Sequence, residues 1–267
     1  MPKEKAPPYK LSVALAALMI LQPVLGLIFQ AQYRDVEWIK AAWFGNDWVT
    51  LVVAVPLLIV ALVLAARGST RGLLLWLGML GYALYNYAYY LFGAALNAFF
   101  PIYVGTLVLS VVTLILSLSR IDAAAVAARF RPRTPVRLIG GYLAFVGVGL
   151  AAVWLAMWAA YIFAGTPTPI EPEPFKVVAA IDISIIVSSL VFGGVLLWRR
   201  NAWGYVIAAI ASVLGTLYLI VLSVNAFVAI QRGTADPPGE IPAWGTLALL
   251  TAVATLLLLS NVRSERV

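Results

Sequence analysis

The sequence predicts an all-α fold, a polytopic transmembrane bundle of about eight helices. Three observations predict it. Of 267 residues, 63% are hydrophobic and 11% are charged, whereas a soluble domain is about half apolar and a quarter charged. The mean hydropathy is +0.98. Eight mostly apolar stretches, at 11–29, 47–66, 73–95, 99–119, 137–164, 177–198, 203–229 and 243–260, alternate with polar loops. About 20 such residues cross the hydrocarbon core as a helix. The runs lack the residue-by-residue alternation of a barrel strand.

The first stretch follows Lys3, Lys5 and Lys10, the basic start of a signal peptide as well as of a helix. The run is long for a signal peptide. Residues 26–31 (GLIFQA) give no small-x-small cleavage site, so helix one is expected to be retained. Segment 31–46, with Trp38, Trp43 and Phe44, is amphipathic and reads as an interfacial segment. Helix two then starts near Asp47, with Asn46 or Asp47 as its cap, and contains Pro56. Segment 122–136 opens on Asp122, a capping residue, and continues Ala-rich into Arg129, Arg131 and Arg133. That pattern suits a short helix touching lipid headgroups. Gly140, Ala144, Gly147 and Ala151 give helix five a small-residue ridge for close packing. Segment 165–176 is Pro-rich and extended. Nothing reads as a soluble domain. The chain is expected to form one transmembrane domain, with halves 1–122 and 137–267 joined by a cytoplasmic linker at 123–136.

The formal net charge is +7. In a soluble protein that would suggest nucleic acid; here the basic residues sit between apolar runs, and no nucleic-acid partner is expected. A cytoplasmic N-terminus places 14 of the 18 Lys and Arg inside and leaves Arg34, Lys40, Lys176 and Arg232 outside. The positive-inside rule therefore orients the chain in a cell membrane with both termini cytoplasmic. Zero Cys and zero His exclude disulfides, thiol nucleophiles, His-ligated metals and a Ser-His dyad. No phosphate-binding loop appears, and no mid-helix Lys could form a Schiff base. No cofactor is expected.

The two halves show an internal repeat. Asp47 precedes an apolar run and the turn RGSTRG (67–72); Asp182 precedes one and the turn RRNAWG (199–204). The step from Asp47 to Asp182 nearly equals the step from Gly72 to Gly204, and both are close to half the chain. Both hairpins run the same way through the membrane, so the repeat would be parallel, with a two-fold along the membrane normal.

Asp182 is the one carboxylate that sits clearly inside an apolar run. An intramembrane acid marks an ion or ligand site, or else a polar tie to a neighbouring helix. Asp47 reads as a helix cap that becomes a site residue only if it shares a vestibule with Asp182. Tyr82, Asn86 and Tyr89 fall on one face of helix three. They form either a cavity wall or interhelical glue. Tyr85, Tyr87 and Tyr90 read as packing or interfacial belt. Helix seven carries a milder polar stripe that includes Tyr218 and Asn225, and Tyr103 is placed to close the outer end.

Residues 45–122, with GNDWVTLVVAVPLL, RGSTRG, GYALYNYAYYLFGAALNAFFPIYV and SRID, together with AIDISIIVSSLVFGGVLLWRRNAWGYV, resemble a family of uncharacterised multi-pass bacterial membrane proteins. That resemblance implies a polytopic helical fold and brings no activity. Such proteins have a Pro after the second Asp, where this chain has Ser188 and Ser189. Together these features lead to a small-solute or ion-binding or transporting protein, with an outward-facing cavity built from Asp182, Tyr82, Asn86, Tyr89, Asp47 and Asn225. Its partners would be the bilayer and a small solute or cation. A non-transporting structural, sensory or accessory subunit is the alternative. An enzyme acting on lipid would have to run on Asp and Tyr alone.

Overall fold

The structure is a computed structural model that describes residues 6–263, so Lys3, Lys5 and Arg266 lie outside the described residues. The first four helices are α1 (Ala6–Ile28), α2 (Glu37–Ala66), α3 (Thr70–Gly93) and α4 (Phe100–Leu118). A short α5 (Ala123–Ala128) leads to α6 (Val136–Ala164), α7 (Pro172–Trp198), α8 (Ala202–Gln231) and α9 (Ile241–Ser260). Seven of these are long and apolar enough to cross a membrane. The eighth long helix, α3, is lowered in hydropathy by its tyrosines and is the helix most enclosed by others. It packs on α2, α4, α7 and α8. Large apolar side chains face outward instead on α6, where Phe145 and Phe163 are each 78% exposed. Such a surface suits contact with lipid.

Helices α2 and α7 begin inside segments that the sequence suggests are loops, and one site reading changes with them. Segment 31–46 is not a separate interfacial segment. Helix α2 starts at Glu37, and Trp43 and Phe44 are buried. Trp43 packs against Tyr89 and Tyr90, and its Nε1 donates to Asp35 at 2.9 Å. Gly45 has the local chemistry of a helix boundary but serves packing inside a helix. A Cβ there would land on Asn225 of α8. Asp47 is therefore not a cap; it lies well inside α2. Likewise α7 begins at Pro172, within the Pro-rich segment.

Several expectations hold. Asp122 caps α5 by accepting from Ala125 N at 2.9 Å. Gly140 and Gly147 bring α6 against Gly194, Leu190 and Val187 of α7. Both described chain ends lie at the arginine-rich end of the bundle. There Tyr9 stacks on Trp76 at 4.9 Å, and Arg71 donates to Val262 O at 2.6 Å. The linker does more than meet solvent, because Arg131 N donates to Asn261 O and Arg263 N to Arg129 O.

The hairpins α2–α3 and α7–α8 repeat in register. At the first turn Arg67, Gly68 and Ser69 donate to Val63, Ala65 and Leu64. At the second, Arg199, Arg200 and Asn201 donate to Val195, Leu197 and Leu196. Every donor and acceptor is shifted by the one step that carries Gly72 to Gly204. This is a helix-ending motif whose turning residue takes a positive φ. Gly68 has φ +90° and its counterpart Arg200 has φ +56°. Ser69 and Asn201 then cap the following helices through Gly72 N and Trp203 N. Where α3 crosses α8, Gly78 faces Val213 and Gly81 faces Ile210. By the same step Ile210 is the counterpart of Gly78, and Val213 that of Gly81. Gly78 thus meets the counterpart of Gly81, and Gly81 the counterpart of Gly78, which is how a two-fold axis makes a contact. The flanking helices depart from the symmetry: α1 packs on α4, whereas α6 packs chiefly on α7 and reaches α9 through the Tyr142–Thr251 hydroxyl pair at 2.6 Å.

Both hairpins also widen into a π-helical turn near their aspartate, at Thr50–Ala54 in α2 and Asp182–Val187 in α7. Pro56 follows the first; it has no N–H to continue the ladder. The second has no proline. Its carbonyls are taken up by serines, Ser184 Oγ donating to Ala180 O at 2.6 Å and Ser188 Oγ to Ser184 O.

Gly72→Ala and Gly204→Ala push a methyl into the backbone of the preceding helix. Each is expected to lower stability by about 1–3 kcal/mol. Gly149→Ala, in open space, is expected to be neutral or to stabilise by up to ~1 kcal/mol. Thermal unfolding of the purified protein in detergent measures all three.

Candidate functional site

Helix α3 is the polar hub, and its helical geometry explains how. At about 100° per residue, Tyr82, Asn86 and Tyr89 share one face, with Tyr85 about 60° to one side and Tyr90 about 80° to the other. Each flank reaches one aspartate, and the central face looks into a cavity.

Asp182 is the first residue of the wide turn in α7 and is fully buried. Its Oδ1 accepts from Tyr85 Oη at 2.7 Å, and its Oδ2 accepts from Trp154 Nε1 at 3.0 Å and Tyr218 Oη at 3.1 Å. These donors come from α3, α6 and α8, so one side chain of α7 ties four helices. Tyr85 and Tyr218 meet edge to face at 5.0 Å between ring centres.

Asp47 is equally buried. Its Oδ1 accepts from Gln22 Nε2 at 3.0 Å and Tyr90 Oη at 2.7 Å, and its Oδ2 accepts from Tyr33 Oη at 2.7 Å. Tyr87 Oη donates to Gln22 Oε1 at 3.3 Å, closing the network behind it. Gly26 leaves room for this cluster, since a Cβ there would collide with Asp47 Oδ2 and Tyr33 Oη. Tyr103 stacks on Tyr90 at 5.1 Å and so backs the Asp47 cluster. Among the described residues neither aspartate has an ion-pair partner; Lys40 pairs with Glu37 and Lys176 with Glu173. An ionised carboxylate only accepts, and every group around these two donates.

Between α2, α3, α7 and α8 lies a cavity of about 50 Å³. Helix α3 contributes Tyr82, Tyr85, Asn86 and Tyr89, and α8 contributes Tyr218, Val221, Leu222 and Asn225. Asn46 of α2 and Val178 of α7 complete it. The step that relates the two turns also relates Asn46 to Val178, Asn86 to Tyr218, and Tyr89 to Val221. The cavity therefore sits on the two-fold axis. On its arginine-rich side the axis is filled by the Gly78–Val213 and Gly81–Ile210 contacts. At the opposite, acidic end a wider groove of about 620 Å³ runs past Trp38, Tyr161 and Glu171.

Four sequence-predicted site residues, Tyr82, Asn86, Tyr89 and Asn225, meet in this cavity. Asp182 stands one side chain behind it, screened by Tyr85 and Tyr218. Asp47 does not share it. Tyr85, Tyr87 and Tyr90 are not belt residues: the first and last bind the aspartates and the second binds Gln22. Gln22, Tyr33 and Trp154 do not stand out in the sequence. One signal exists for two of them, since Gln22 and Trp154 are counterparts under the same step as the turns. Comparison with known proteins finds no matching family, no matching curated protein and no matching solved structure.

Tyr85→Phe and Tyr90→Phe each strip a donor from a buried carboxylate and are expected to destabilise by about 1–3 kcal/mol. Tyr82→Phe loses only a 3.4 Å contact to Thr50 and is expected to cost less than ~1 kcal/mol. A double-mutant cycle of Tyr85→Phe with Asp182→Asn reads the coupling. Additive effects would mean the pair does not interact.

Proposed function

We propose that this protein binds a small solute or ion in the cavity on its two-fold axis and passes it across a cell membrane. One observation carries the reading. Tyrosine and asparagine side chains converge on an open space between four helices of the bundle. Polar groups at membrane depth are costly and mark solute or ion pathways. The cavity lies between π-widened helices, and such turns recur at functional sites. The positive-inside rule sets the arginine-rich end in the cytoplasm, so the cavity lies on the outer side of the Gly78–Val213 and Gly81–Ile210 contacts. The glycine contacts of α3 and α8 form the inner closure. Transport would need these two helices to part, and parallel repeats move in this way against each other.

The clamped aspartates favour a second reading, a non-transporting structural, sensory or accessory subunit. Both carboxylates are fully engaged by protein donors, as helix ties would be.

The absence of native cysteine allows a direct test. Val221→Cys places a thiol on the cavity wall, and Val213→Cys places one in the inner closure. In intact cells a membrane-impermeant thiol reagent is expected to label the first and not the second. A folded Val221→Cys protein that reacts only after denaturation would leave the cavity dry and favour the subunit reading.

A further inference from the structure

We infer that the 123–136 linker and the segment after α9 form a strap across the inner ends of α3 and α8, and that Arg71 is the catch that lets go before these helices part. The inference rests on the transport reading, in which the inner closure opens, and it names the contact that governs the opening.

Helix α9 ends at Ser260, and the last carbonyls of a helix have no partner within it. Here the side chain of another helix serves them. Arg71 donates to Val262 O from Nε at 3.2 Å and from Nη2 at 2.6 Å, and Nη2 also reaches Ser260 O at 3.3 Å. A guanidinium suits the negative end of a helix dipole. Arg71 belongs to the first turn of α3, so these bonds join the first hairpin to the end of α9.

The same segment pairs with the linker. Arg131 N donates to Asn261 O at 2.9 Å and Arg263 N to Arg129 O at 2.8 Å, which sets Phe130 opposite Val262 in an antiparallel bridge. Both side chains are buried. The Phe130 ring lies 4.6 Å from that of Tyr205, in the first turn of α8. Ahead of it α5 packs on α8, with Ala123 and Val126 buried. The path from α3 to α8 thus runs through Arg71, Val262, Phe130 and Tyr205. It crosses the inner ends of the two helices that touch at Gly78–Val213 and Gly81–Ile210. From Arg71 to Gly78 is roughly 10 Å along the helix axis.

The two attachments differ in kind. On α8 the strap is held by buried apolar side chains. On α3 it is held by hydrogen bonds from an exposed arginine, and water replaces both donor and acceptor when such bonds separate. The strap therefore stays with α8 and detaches from α3. Arg71 is not needed for the turn in which it sits. The step that carries Gly72 to Gly204 carries Arg71 to Trp203, and the second turn forms the same backbone bonds without a guanidinium there.

Val213→Cys reports the closure. In inside-out membrane vesicles an impermeant thiol reagent reaches the arginine-rich face. Arg71→Ala is expected to speed labelling of Val213→Cys by about tenfold, the effect of losing a hydrogen bond to a charged group. Arg67→Ala removes an equal charge from the same turn and is expected to leave the rate unchanged. Leu58→Cys, buried in the part of α2 that packs on α1 and α3, is expected to label no faster with Arg71→Ala than without it. Where Arg71→Ala does not fold, Arg71→Lys keeps the charge but not the planar fork, and is expected to give a smaller rise of the same kind. An unchanged Val213→Cys rate overturns the inference, and so does an equal rise at Leu58→Cys or with Arg67→Ala. Labelling of Val221→Cys from outside reads the cavity separately. If it fails while Arg71→Ala still exposes Val213→Cys, the strap stands and the transport reading falls. If it succeeds while Arg71→Ala changes nothing, the cavity stands and the strap is overturned.

Discussion

A carboxylate keeps its place inside a bilayer only when donors replace the water it has lost. Two aspartates of this protein meet that condition, and the helix arrangement follows from how they do so. Asp47 draws on α1, α3 and the loop before α2; Asp182 draws on α3, α6 and α8. Hydrophobicity gives helices no reason to choose one another in lipid, because lipid tails are as apolar as leucine. Directed bonds to a buried acceptor do. Helix α3, which serves both aspartates, is consequently the helix most enclosed by the others.

The second constraint is the close approach of α3 and α8. Gly78 and Gly81 let Val213 and Ile210 come to the helix surface. Because these two are the counterparts of the two glycines, the molecule here touches its own image. A two-fold axis has one consequence for function. Whatever lies on it is lined by both hairpins and is altered by any motion between them. The tyrosine–asparagine cavity lies there, just beyond the glycine contact. The repeat is not exact. Val178 stands where the first hairpin has Asn46, and Val221 where it has Tyr89. One half therefore supplies most of the polar groups, and the cavity is chemically lopsided on a symmetric frame.

Much was legible in the sequence. The apolar runs located all eight long helices, seven of which are long and apolar enough to cross a membrane. The repeated basic turns disclosed the parallel hairpins, since a helix-ending turn needs a residue at positive φ and then a cap, Gly68 and Ser69 in the first and Arg200 and Asn201 in the second. The stripe of Tyr82, Asn86 and Tyr89 pointed to the cavity, because a helix places those positions on one face.

Other features needed the fold. Gly45, Asn46 and Asp47 carry the local chemistry of a helix start, and only the arrival of Asn225 and Gln22 from other helices makes them interior. Tyr85 and Tyr90 are indistinguishable from belt residues until their hydroxyls meet carboxylates 97 and 43 positions away. By itself the sequence determined the helices, their alternation and their shared turn, all of which depend on neighbours along the chain. The tertiary structure alone decided which tyrosines hold an aspartate and which face open space. That choice depends on helix rotation, which only the packing of distant segments sets.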